Sequence, residues 1–89
     1  MITAVAAQNA SSLPLPPVAP SRLAGVEAGQ KDARRHRRRG FVIVDLPGLT
    51  AYAEDMAELG IPRAEPDRAG LIAQYVDGYV EGYRAVARW

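Results

Sequence analysis

One segment, Phe41-Val42-Ile43-Val44-Asp45-Leu46, reads as a β-strand, and no second segment of the chain does. Four consecutive large apolar residues, three of them β-branched, suit a pleated and half-buried surface. A lone strand leaves its backbone donors and acceptors unpaired along both edges. It therefore predicts pairing with a second copy of the chain or with the sheet of another protein.

Length sharpens this expectation. The chain has 89 residues, one small domain at most. Core-forming apolar residues are plentiful only from Phe41 onward, in a stretch of 49 residues. A unit that short rarely buries enough surface to stand alone without a metal, disulfides or a partner.

The formal charge is only +1, but it is divided unevenly. Residues 1–40 carry seven basic and two acidic groups, a net +5, whereas residues 41–89 carry four basic and eight acidic groups, a net −4. Most of the positive charge lies in Lys31-Asp32-Ala33-Arg34-Arg35-His36-Arg37-Arg38-Arg39, which Gly40 ends. Arg and Ala favour helix, but nine residues of like charge do not hold one in isolation. The segment reads as a helix ordered when its charge is neutralised.

Several chemistries find no residues to carry them. The chain has no cysteine, which excludes disulfides and Cys-based zinc sites and is compatible with a reducing compartment. Its single histidine, His36, has no second His or Cys with which to assemble a typical transition-metal site. From residue 41 onward there is no Ser and one Thr, Thr50, so no hydroxyl nucleophile pairs with a base there. Glu54, Asp55 and Glu58 read as solvated carboxylates on an outer helix face. The chain is accordingly read as a non-enzyme without a cofactor. No run approaches the ~18–20 apolar residues of a membrane span. Met1–Ala7 lacks the basic start and the long apolar run of a secretory signal, and residues 1–21, without charge, lack the arginines of a transit peptide. The expectation is a soluble, cytoplasmic protein.

Three regions emerge. Residues 1–30, rich in Ala, Ser, Pro and Gly, read as a disordered tail. Within it, Pro14-Leu15-Pro16-Pro17 favours extended chain, as a linker or as a ligand for a proline-recognising domain. Residues 31–40 are the basic segment, and residues 41–89 a strand followed by two helices. In the first helix Asp45 is the candidate cap, with Pro47 tolerated in the first turn and Thr50 the alternative cap. Leu49, Tyr52, Ala53, Met56 and Leu59 share one face. Gly60 is expected in the left-handed terminating position, with Ile61 packing back and Pro62 as the stop. The second helix runs from about Pro66 to Arg88 on a ladder of Leu71, Ile72, Tyr75, Val76, Tyr79, Val80, Tyr83 and Val86. Its acids, Asp77 and Glu81, precede Arg84 and Arg88, an order that suits the helix dipole. Gly78 and Gly82 each cost about 0.8–1 kcal/mol in a helix interior. Four residues apart, they predict close packing against another helix. Tyr75, Tyr79 and Tyr83 form a stripe suited to a core or an interface between chains.

The order strand, helix, short turn with Gly60-Ile61, longer helix resembles the ribbon-helix-helix family over Phe41–Tyr83. Val42, Val44, Leu46-Pro47 and the Leu49/Met56/Leu59 spacing carry the likeness. The resemblance implies an α+β fold completed by homodimerisation, with paired strands entering the DNA major groove. It departs from the family's pattern where it matters for base reading. With Val42, Val44 and Leu46 facing inward, the period of two turns Phe41, Ile43 and Asp45 outward, and none of these donates to a base edge or attracts phosphate.

Two functions follow. The first is a small DNA- or RNA-binding dimer, in the manner of a transcriptional regulator. It would grip phosphates through Lys31, Arg34, Arg35, Arg37, Arg38 and Arg39, because guanidinium groups bind phosphate bidentately. Engaging about five phosphates would give a slope of log K against log salt near −4.5. The second is a protein-interaction module, an adaptor or inhibitor, that adds its strand to a partner's sheet. In both, Phe41, Val42, Ile43, Val44, Tyr75, Tyr79 and Tyr83 are the candidate interface.

Overall fold

The computed structural model describes residues 20–89. They form three helices, α1 (Pro20–Arg38), α2 (Leu46–Gly60) and α3 (Arg68–Ala87). Contacts between α1 and α3 ascend along both helices. The Ser21 hydroxyl donates to the Leu71 carbonyl at 2.7 Å, Arg22 pairs with Asp77 at 2.9 Å, and Arg37 donates to the Val86 carbonyl at 3.0 Å. The two helices are therefore parallel. α2 runs back between their ends. At the start of α3, Arg68 donates to the Glu58 and Ile61 carbonyls at the end of α2, at 3.0 and 3.2 Å.

Glycines set how closely α1 and α3 approach. A Cβ on Gly25 would strike the Tyr75 carbonyl oxygen, and one on Gly29 the Tyr79 carbonyl oxygen. From the other helix, a Cβ on Gly78 would strike the Arg22 carbonyl and one on Gly82 the Val26 carbonyl. Each helix thus presents two glycines four residues apart to the backbone of the other. The propensity lost at four glycines is offset by backbone-to-backbone packing, including Cα–H groups directed at carbonyl oxygens.

The core lies where α2 crosses this pair. Ala33 of α1, Leu49 and Ala53 of α2, and Tyr79 and Tyr83 of α3 are fully buried. Burying a side chain such as Leu49 contributes about 1.5–3 kcal/mol. The start of α2 follows its sequence signals, since Asp45 is the cap and its carboxylate accepts from the Gly48 N–H at 2.7 Å.

The α+β expectation is overturned, because the described residues contain no strand. Residues 41–45 form no regular element, and two of their backbone donors are taken locally. The Phe41 N–H donates to the His36 carbonyl at 3.1 Å, and the Ile43 N–H donates to the Tyr83 hydroxyl at 2.9 Å. With those groups satisfied by α1 and α3, the apolar run serves as the link between α1 and α2 instead of a ladder.

The boundary expected at residue 30 is also corrected. Residues 20–30 continue into the basic segment as one helix, and the surface that residues 41–89 lacked comes from α1 of the same chain. Residues 1–19, including Pro14–Pro17, lie outside the described residues. Smaller differences follow from the same packing. Gly60 is the last residue of α2 without a positive φ, and the helix ends when the extended Ile61 donates to the Ala57 carbonyl. α3 begins at Arg68 rather than near Pro66, and Leu59 is 86 % exposed although it was expected on the apolar face.

Candidate nucleic-acid interface

The basic segment is the second half of α1, and its two faces do different things. Asp32, Ala33 and His36 turn inward and are buried, while Lys31, Arg34, Arg37, Arg38 and Arg39 are exposed. Arg35 lies between them, its guanidinium 2.8 Å from Asp32. It is thereby diverted from the outer surface.

The inward face is anchored by the tyrosine stripe. Tyr79 donates its hydroxyl proton to Asp32 at 2.5 Å. Burial, followed by the hydrogen bond and charge of Asp32, holds this phenol far above its ordinary pKa, so it remains a donor. Four residues on, the Tyr83 hydroxyl lies 2.7 Å from Nδ1 of His36. Burial lowers the His36 pKa; the Asp32 charge opposes this, while Arg35 and Arg39 reinforce it. The ring is therefore neutral near pH 7. The Tyr83 oxygen accepts from the Ile43 N–H, and assigning its one proton to Nδ1 puts the proton of the neutral ring on Nε2. Burial raises the Tyr83 pKa as well, against the opposing effect of the Ile43 N–H.

The end of α1 then places an aromatic ring. Gly40 has φ +92°, a left-handed conformation that glycine adopts without strain. The Gly40 N–H donates to the Arg37 carbonyl and the Phe41 N–H to the His36 carbonyl, the paired bonds of a Schellman motif. The apolar contact that accompanies such a motif is present. Phe41 stacks on His36 with ring centroids 4.5 Å apart and planes 23° from parallel. Phe41 nevertheless remains 49 % exposed.

Because α1 and α3 are parallel, their C-terminal ends lie side by side, and the arginines gather there. A groove of about 490 Å³ is lined by Arg34, Arg37 and Arg38 of α1 and by Ala85, Val86 and Arg88 of the α3 end, with no acidic residue in the lining. Two helix C-termini together offer roughly one negative elementary charge. That is too little to balance four guanidinium groups, so the groove keeps a strong positive field.

The structure brings Arg34, Arg37 and Arg38 together and adds Arg88, which sequence reasoning did not select. Lys31 and Arg39 are exposed outside that lining, and Arg35 is paired with Asp32. Among the proposed interface residues, Tyr79 and Tyr83 are fully buried within the chain and Tyr75 is half-buried. Val42 and Ile43 are half-buried, while Phe41 and Val44 are exposed. The buried roles of Asp32 and His36 were hidden inside a run that reads as uniformly charged. One signal was available: Gly25 and Gly29 repeat the four-residue spacing of Gly78 and Gly82.

Among the described residues, no helix is long and apolar enough to cross a membrane. The sequence matches no protein-family model, and no curated protein or solved structure matches it.

Proposed function

We propose that this chain binds nucleic acid through its phosphates, using the arginine groove at the C-terminal ends of α1 and α3. The observation that carries the reading is the convergence of Arg34, Arg37, Arg38 and Arg88 on one groove with no acid in its lining. Such a set is matched by an anion bearing several charges along its length. The core fixes α1, so its arginines are held in register rather than ordered at the moment of binding, which lowers the entropy cost. Glu54, Asp55 and Glu58 of α2 stand outside that lining and disfavour a broader footprint. The reading is of a cytoplasmic, non-enzymatic protein.

Fluorescence anisotropy with labelled oligonucleotides tests it. Replacing Arg34, Arg37, Arg38 and Arg88 by Gln should abolish binding, while Arg63→Gln, at an exposed position beyond α2, should leave it unchanged. Affinity unaffected by the four substitutions refutes the reading.

A second reading, pairing of two copies, is favoured by a different surface. Leu46 of α2 and Ile72, Val76 and Val80 of α3 form the apolar floor of an open groove of about 570 Å³, which Glu54, Asp77 and Arg84 also line. Sedimentation equilibrium of the full chain decides it. A dimer that Val76→Asp converts to a monomer supports pairing through this face, and a monomeric native chain refutes it.

A further inference from the structure

Beside the arginine groove lies a second hollow, and the two share a wall. The second, about 340 Å³, is lined by Arg37, Gly40, Phe41 and Val42. Arg37 therefore borders both the phosphate groove and the exposed ring of Phe41. One face of that ring rests on His36, and His36 is held by Tyr83. The ring is thus a supported aromatic platform at the edge of a cationic groove, its pose fixed by the left-handed Gly40.

We infer that the interface is built for single-stranded nucleic acid, with one base stacked on Phe41 while the adjoining phosphates occupy the arginine groove. This rests on the proposed phosphate-binding function and deepens it. A duplex supplies the same phosphates, but its bases are already stacked on one another. Phe41 offers such a substrate nothing except at an end or a bulge. An unpaired strand presents free base faces, and a base–aromatic stack accepts any of them, so the preference is for strandedness rather than for sequence. Arg37 acts at the junction. Its guanidinium is tied to the Val86 carbonyl at 3.0 Å, which holds it between the platform and the groove.

The test compares four probes on the full chain. They are a single-stranded oligothymidylate and an oligouridylate of about twelve nucleotides, the matching duplex, and an abasic strand of the same length. The single strands should bind about tenfold more tightly than the duplex or the abasic strand. The two single-stranded probes also separate a DNA ligand from an RNA ligand. Phe41→Ala should weaken binding to single strands about tenfold while leaving the abasic strand unaffected, and Phe41→Trp should restore the preference. Four phosphate contacts on a single strand predict a slope of log K against log salt near −2.8 for both native and Phe41→Ala chains.

Equal affinity for single strand, duplex and abasic strand would overturn the single-strand inference and leave phosphate binding standing. So would a Phe41→Ala variant that loses all four probes together, because the ring would then act through folding alone. Absence of binding to every probe by the native chain would overturn both readings.

Discussion

Tyr83 joins His36 to Ile43. Its hydroxyl lies 2.7 Å from Nδ1 of the histidine and accepts from the Ile43 N–H at 2.9 Å. One phenol oxygen from α3 thereby holds both the end of α1 and the link into α2. Tyr83→Phe keeps the ring and its packing but leaves a partly buried N–H and a buried ring nitrogen without their partner. The expected loss is about 1–3 kcal/mol of unfolding free energy, read by urea denaturation, with the helical content of the native state unchanged.

The same contact makes stability depend on pH. Burial lowers the His36 pKa in the folded state, so the unfolded chain binds the extra proton more readily. Stability is full above the ordinary histidine value of about 6.5 and falls as pH drops through it toward the lowered value. Protonating Nδ1 also removes the acceptor that Tyr83 uses. Between about pH 7 and 5, the native chain should lose stability faster than His36→Gln, in parallel thermal melts.

The glycines should divide into two classes. Gly29→Ala and Gly82→Ala each place a methyl group against a backbone carbonyl of the facing helix, and backbone cannot rotate aside as a side chain does. Each should cost about 1–3 kcal/mol despite the better helix propensity of alanine. Gly60→Ala is the contrast. Nothing lies within 4 Å of its added Cβ and its φ is not positive, so it should be neutral or stabilising by up to about 1 kcal/mol. Differential scanning calorimetry of the three variants checks the split.

Asp45 caps α2 by accepting from Gly48, in the segment that runs from Gly40 into that helix. Asp45→Ala should cost about 1 kcal/mol. Because Asp45 lines neither the arginine groove nor the hollow beside Phe41, oligonucleotide affinity at temperatures well below the melting point should change far less than in the arginine variant.

Local signals were legible where the responsible atoms are neighbours in sequence. Asp45 and Pro47 mark the start of α2, Pro62 its stop, and Gly40 the end of the arginine run, because caps and breakers act within a turn or two. The apolar face through Leu49 and Ala53, the tyrosine stripe, and the need of Gly78 and Gly82 for a closely packed helix were legible for the same reason. What covers those faces depended on residues distant in sequence. Phe41–Leu46 has the composition of a strand, and only the tertiary structure, by giving the Ile43 N–H to Tyr83, made its first five residues a link. The segment from Pro20 to Gln30 has the composition of a tail. It becomes helix because Gly25 and Gly29 let it lie against the backbone of α3, a stabilisation no local sequence term contains. The charge of the arginine run belonged to the sequence alone. Which arginines face outward, that Asp32 withdraws Arg35, and that Arg88 joins the groove were decided by the parallel packing of α1 on α3, which brings two helix ends distant in sequence to the same place.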